Sequence, residues 1–454
     1  MSDSIFERFI KDSPISVMAR AAAERAFNPV EIDRWYDRNA RKQYTKNLLF
    51  SSVFDLMSGV VVAGYPSVHA AYQHSEDEIG VSATALYNKL NGIETGTSAG
   101  LVRYAAGKLI PVITELGGTL TPLFPGYRIK LIDGNCIEAG EHRIRELRDI
   151  AAGALPGKSQ VVYDPVFRIP IDVFPCEDGH AQERSLLGDV SATVEENDVW
   201  VADRNFSTCG FITGIANSKA FFIIRQHGGL AYESLGKERA KGLAETGKVF
   251  EEPVAITDAS GKKHIFRRIR VSLKTETRDG DKEIFIITNL PPEVANAKII
   301  AAIYRQRWKI ETTFQELEKW FNSEINTLCY PPAALFGFCV ALISYMILAV
   351  IKAALCAVHG VDKIEEEVSG FYIADEISGV FRGMMIAIPD EKWKVFRQYT
   401  QAEFIQFLMR LSANVKLSVF RKHPRGPKKK PKKRKSDPKT PHVSTAKLIA
   451  MRKK

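Results

Sequence analysis

Residues 333–351, AALFGFCVALISYMILAVI, hold no charged side chain in 19 positions. A run of that length and character either crosses a bilayer or lies at the centre of a large core, with protein on every side. The rest of the chain favours the second. The segment just before it, AAIYRQRWKIETTFQELEKW (301–320), is dense in charge, and nothing else in the 454 residues is membrane-like. At 45% apolar and 10% aromatic, the composition is that of a globular protein long enough for two or three domains. The expectation is a buried helix around which the other elements are arranged, and no membrane partner.

The hydrophobic period switches twice along the chain. Residues 1–120 read as helices: SPISVMARAAAERAF is amphipathic, with Ser13 at an N-cap and Pro14 at the first helical position. KNLLFSSVFDLMSGVVVAG, SATALYNKLNGI and GLVRYAAGKLIPVITELGG continue the pattern. The short helix with Tyr87 and Lys89 suits contact with a nucleic acid, although a bundle that only packs fits equally well. From 126 the period becomes two. YRIKLIDGN alternates and breaks at Gly134-Asn135, placing Asp133 at a strand end. SQVVYDPVFRIPIDVF (159–174) reads as two strands, DVWVADRNF (198–206) as another ending at Asp203, and 220–288 remains β-rich. Helix resumes after Pro291-Pro292. The segments are 1–120 helical, 121–225 α/β, 226–290 a β-rich insertion, 291–358 α/β again, 359–420 helical, and 421–454 a basic tail. There is no internal repeat.

Charge is distributed unevenly. From Arg421 to Lys454 there are 15 Lys and Arg against one acid, Asp437; the other 420 residues hold 48 bases and 52 acids. The basic excess of the whole chain therefore sits in its Pro- and Lys-rich tail, which has too little apolar content to order itself. Lys428, Lys429, Lys430, Lys432, Lys433 and Arg434 are the densest part. They suit salt-sensitive contact with DNA phosphates, a solubilising extension or a localisation signal, and we favour DNA contact. The six cysteines form no C-x-x-C pair, and the N-terminus MSDSIFERFIKDS lacks the features of a secretory leader, so a reducing cytoplasm is expected.

Three acids stand out by position. Asp133 and Asp203 end strands, and Glu311 lies on the helix of 301–320. On one continuous helix, Tyr304, Arg307 and Glu311 share an arc beside the apolar stripe of Ile303, Ile310, Phe314, Leu317 and Phe321. Glu311 would then emerge at the border of the buried face, where it could meet the two aspartates. Three converging carboxylates suit hard divalent cations that also bind phosphate oxygens. Arg307 suits bidentate contact with a phosphate, and Tyr304 and Trp308 suit stacking on a base or sugar. Each acid also has a bland reading: strand-end aspartates cap turns, and a helical glutamate among bases is commonly an exposed ion pair.

With these residues on the page, the chain resembles a known family. YRQRWKIE is similar to the Y-x2-R-x3-E-x6-K signature of bacterial transposases of the insertion-sequence-four family. LIDGNCIEAGEHR and VADRNF resemble the segments carrying the first and second catalytic aspartates of that family, on Asp133 and Asp203; the third acid falls on Glu311. The terminal stretches SPISVMARAAAERAFNP, RKHPRGPKKK and HVSTAKL look alike as well. The resemblance implies an α/β fold: an RNase H-like catalytic core interrupted by the β-rich insertion, with a helical N-terminal DNA-binding region and a helical C-terminal region. It implies cleavage and strand transfer of double-stranded DNA at transposon ends and target, with two Mg2+ ions (or Mn2+) held by Asp133, Asp203 and Glu311. Tyr304, Arg307, Trp308, Lys319 and Arg204 would contact DNA, the protein would act as a homodimer on DNA, and its setting would be the bacterial cytoplasm and nucleoid. A relative that only binds DNA, or a nonspecific nuclease, are the alternatives. Three positions depart from the pattern. Glu318 stands where the signature lysine is expected, with Lys319 beside it; Asn205 stands where glycine is more usual; and the insertion holds no tryptophan, leaving a residue such as Phe285 to stack on any displaced base.

Overall fold

The uncharged run lies within a 29-residue helix, Pro331–His359. Pro331 occupies its first turn, where a missing N–H costs nothing, and Gly360 ends it at a φ of 91° that disfavours any residue with a Cβ. In the computed structural model, which describes residues 2–43, 47–137, 154–277, 280–423 and 443–452, 94% of its most apolar 18-residue window is buried. What covers it is protein. The helices Pro14–Ala26, Phe50–Val61, Ala83–Gly92, Thr95–Glu115 and Gln401–Ala413 all pack on it. Removing each Leu, Ile or Phe side chain from water stabilises by about 1.5–3 kcal/mol, so this helix organises much of the helical layer.

The β-rich middle folds as expected from its period. The strands are β1 (Arg128–Ile137), β2 (Ala154–Leu155), β3 (Gly157–Asp164), β4 (Ile169–Cys176), β5 (Asp198–Ala202) and β6 (Phe221–Arg225). They continue with β7 (Glu233–Ser234), β8 (Arg239–Leu243), β9 (Gly247–Thr257), β10 (Lys263–Leu273), β11 (Glu283–Thr288) and β12 (Val443–Ser444). One sheet runs β4-β3-β1-β5-β6-β11-β10-β9-β7, with β8 also on β9. Its first three strands are an antiparallel meander, and β5 and β6 lie parallel to β1. The strands of 226–290 extend the same sheet through the antiparallel pairing of β11 with β6. Separately, β12 pairs with β2.

Strand alternation sorts the sheet into two faces. Leu131, Val161, Val201 and Ile223 face the layer of the long helix, while Ile132, Val162, Trp200, Ala202 and Ile224 face a second core. That second core is closed by the helices Leu187–Ser191 and Cys209–Asn217.

Several local expectations change. Strand β1 does not stop at Gly134-Asn135; it continues to Ile137, pairing Gly134 with Gln160 and Asn135 with Ser159 on β3. The ladder, with its full set of neighbours on β3, outweighs the turn propensity of the dipeptide. The stretch 297–320 is two helices, Ala297–Gln306 and Trp308–Trp320, joined at Arg307. Ser13 precedes Pro14–Ala26 as expected, but its side chain makes no capping bond. Lys89 sits with its ammonium 4.6 Å from the Tyr36 ring, so its charge packs against the bundle.

Phe336, fully buried in the long helix beside Phe50, offers a direct check on this core. Phe336→Ala is expected to destabilise the protein by about 3–5 kcal/mol, measured as a lower urea midpoint; an unchanged midpoint would mean the helix is not packed as described.

Candidate active site

The parallel register of β1 and β5 brings the two aspartates together. Ile132 pairs with Ala202, so Asp133 and Asp203 occupy the next position on adjacent strands, roughly 5 Å apart along the sheet. Alternation turns both toward the layer of the long helix, since Leu131 and Val201, two residues earlier on each strand, face it. Each carboxylate accepts a hydrogen bond from the next backbone N–H: Asp133 from Gly134 at 3.0 Å, and Asp203 from Arg204. The same register continues to β6, where Ala202 pairs with Ile224 and Arg225 therefore falls beside Asp203.

Helix Trp308–Trp320 supplies the third acid. It crosses β1 on the same face, seated by Ile310 and Leu317, both essentially inaccessible. At the join with the preceding helix, Arg307 keeps helical dihedrals, but its N–H bonds to Tyr304 O and its carbonyl accepts from Ile310 N, both at 3.1 Å. These three-residue steps tighten the backbone. Tyr304 and Arg307 turn inward, 7% and 6% exposed, while Trp308 stays 55% exposed.

The guanidinium of Arg307 ties the site together. Its Nη1 donates to Asp133 Oδ2 at 2.6 Å and its Nη2 to Glu311 Oε1 at 2.5 Å. Asp133, on a strand, and Glu311, on a helix 178 residues later, are thus held by one fork. Burial pushes the Asp133 carboxyl up to about 7; Arg307 opposes that rise, and the nearby charges of Glu311 and Asp203 add to it. For Arg307, burial works against the cation, but Asp133, Tyr304 and Glu311 outweigh it and raise its affinity for the proton. The Tyr304 hydroxyl is raised by burial and by Asp203, with Arg307 opposing. All three carboxylates, Tyr304 and Arg307 therefore share one electrostatic neighbourhood.

The remaining candidates divide by position. Arg204 is exposed beside Asp203. Glu318 and Lys319 are both exposed, about two turns beyond Glu311 on the same helix. Phe285 has the Arg268 guanidinium 4.2 Å from its ring centre, and Arg268 also lies 4.9 Å from Tyr232. The tail residues Lys428, Lys429, Lys430, Lys432, Lys433 and Arg434 lie outside the described residues. Beside Tyr304 and Trp308 opens a mostly apolar pocket of about 360 Å³, walled by Val271, Leu273, Ile284 and Ile286.

Two contributors were not legible in the sequence. Arg225 is bonded to Asp281 at 2.7 Å and interacts with Asp203 and Tyr304; only the lateral register of β6 reveals it. Glu183, on the short turn Glu183–Leu186, bonds Asn205 at 2.9 Å and lies against Gly134. No spacing in the sequence connects it to either aspartate. Among the described residues, no three His, Cys, Asp or Glu side chains are gathered closely enough to hold a metal: the fork of Arg307 stands between Asp133 and Glu311.

Comparison with known proteins finds transposases. Residues 124–347 match the family model described as a transposase DDE domain. A Sinorhizobium fredii protein that carries the name transposase is 28% identical over 165 residues, which is 36% of this chain and 44% of that one. Two Escherichia coli sequences, a protein named as the transposase of insertion sequence element IS186A and the transposase of IS421, are each 26% identical over 230 residues, 42% of this chain and 57% of theirs. The chain thus spans about half the length of the curated relatives it matches. Residues 124–347, within which Asp133, Asp203 and Glu311 fall, are thus the part of the chain that is similar to transposase DDE domains.

Proposed function

We propose that this protein is a transposase of the insertion-sequence-four type that binds the terminal repeats of its element, cleaves them and joins the 3′-hydroxyl ends to target DNA. The observation that carries this reading is the convergence of Asp133, Asp203 and Glu311, distant in sequence, around the buried fork of Arg307. An RNase H-like core is supported by the strand order β4-β3-β1-β5-β6, with an antiparallel meander first and two parallel strands beside β1. On this reading 226–290 is an insertion that widens the sheet at β6, and 1–120 is the DNA-binding region.

The carboxylates have the donor chemistry for a pair of Mg2+ or Mn2+ ions once the Arg307 fork leaves the space between Asp133 and Glu311. All three offer hard oxygen donors, two of them already share one positive group, and Asp133 is buried enough to need a cation beside it. Asp133, Asp203 and Glu311 would hold the ions, which supply an activated water or 3′-hydroxyl and stabilise the leaving oxygen. Arg307 would give up its carboxylates and turn its fork to a DNA phosphate, the geometry it is built for. Tyr304 borders this contact from the inside. Trp308, exposed at the edge of the apolar pocket, is free to stack on a base. Arg204 and Lys319, both exposed near the site, and the basic run 428–434 would add phosphate contacts. The protein would work as a dimer on DNA in the bacterial cytoplasm, on the nucleoid.

Two outcomes test this. Glu311→Ala should leave binding of a terminal-repeat duplex largely intact and abolish cleavage of a supercoiled donor plasmid in Mg2+. Retained cleavage by that variant sinks the assignment, and equal cutting of a plasmid without repeats points instead to a nonspecific nuclease. Arg307→Ala strips Asp133 of its buried partner, so without metal the variant should lose about 3–5 kcal/mol of stability. Because Mn2+ would then replace the missing charge, it should raise the melting temperature of Arg307→Ala more than that of the wild type; an equal rise would refute the idea that fork and metal occupy the same place.

A further inference from the structure

Behind the two aspartates, on the opposite face of the sheet, lies a group of polar contacts that the reaction described above does not use. Glu183 begins the turn Glu183–Leu186. Its Oε2 accepts from Asn205 Nδ2 at 2.9 Å, and the neighbouring Arg184 donates from Nε to Asn205 O at 3.1 Å. Asn205 lies two residues after Asp203, within the turn Arg204–Phe206 that Asp203 caps. The other oxygen, Oε1, rests where a side chain of Gly134 would begin, and Gly134 is the residue whose N–H bonds Asp133. The turn itself is pinned to the sheet: Gln160, fully buried and directly opposite Gly134 on β3, donates from Nε2 to Glu183 O at 2.6 Å. Its Oε1 has no partner among the described residues. A buried amide half satisfied is costly, and here the satisfied half anchors the turn.

We propose that Glu183 is a positioning residue for the metal-binding aspartates. It clasps the residue after Asp133 and the turn after Asp203, fixing the lateral separation of the two carboxylates from the far face of the sheet. The assignment rests on Asp133 and Asp203 being the metal ligands. It also accounts for two residues flanking those acids. Gly134 leaves room for the Glu183 carboxyl, and Asn205, where glycine was expected, supplies the amide that the carboxyl holds. Glu183 acts as a hydrogen-bond acceptor and touches neither metal nor DNA. Residues that orient metal ligands in this way typically change metal affinity or activity by about 10–100-fold when removed.

Mn2+ binding to the full-length protein, followed by the metal-dependent rise in melting temperature, tests this without relying on DNA cleavage. Glu183→Ala should weaken Mn2+ roughly 10–100-fold. Gly134→Ala should do the same with Glu183 still present, because its methyl group displaces the carboxyl. Glu183→Gln should bind Mn2+ close to wild type, since its amide oxygen still accepts from Asn205. Wild-type affinity in Glu183→Ala overturns the proposal. So does a Glu183→Gln variant as weak as Glu183→Ala, because the negative charge itself would then be required. Failure of the underlying reading appears elsewhere: Asp133→Asn would then bind Mn2+ as tightly as the wild type, whatever the Glu183 variants do.

Discussion

The helix Pro331–His359 carries one lysine and no carboxylate in 29 residues, and it must be taken out of water along nearly its whole length. That requirement arranges much of the rest. Helices from both ends of the chain pack around it, and the meander strands β3 and β4 lie against it on the sheet side. Helix Trp308–Trp320 precedes it by ten residues and shares its layer, so it is laid across β1. The position of Glu311 over β1 therefore follows from burial of an apolar helix that has no chemistry of its own.

Within that frame the site is electrostatic. A carboxylate as buried as Asp133 is unfavourable unless a cation stands beside it, and the chain supplies Arg307 for that purpose. One guanidinium between two carboxylates gives the geometry a definite resting state. The row of Asp133, Asp203 and Arg225 across the parallel strands β1, β5 and β6 is set by backbone register, which side-chain rotation cannot undo. Glu183 and Gln160 brace the same row from the other face.

How much could be read in advance depends on the range of the interaction. Periodicity located the strands around 159–174, the start of the strand at Asp198 (which ends at Ala202, before a helical turn over Arg204–Phe206), the helical N-terminal region and the apolar stripe of Ile303, Ile310, Leu317 and Phe321, because each reflects a one-sided burial pattern written locally. The break proposed at Gly134-Asn135 did not occur: a local turn preference lost to seven ladder pairs with β3. The single helix through 301–320 is two, and the tightened join at Arg307 turns Tyr304 inward, where a continuous helix was expected to offer it for stacking. The candidate triad was legible because its segments resemble a known family. Arg225 and Glu183 were not, since nothing along the chain marks them.

The sequence by itself determined which segments must be buried, which alternate, where the charge collects and which three acids stand in suitable surroundings. Those properties depend on side-chain chemistry at spacings of two to four residues. Only the tertiary structure decided that Asp133 and Asp203 lie in register, that Glu311 reaches Asp133 through Arg307, and that Glu183 sits behind Gly134 and Asn205. Strand pairing and helix crossing join residues scores of positions apart, and their geometry is settled by how the whole core packs.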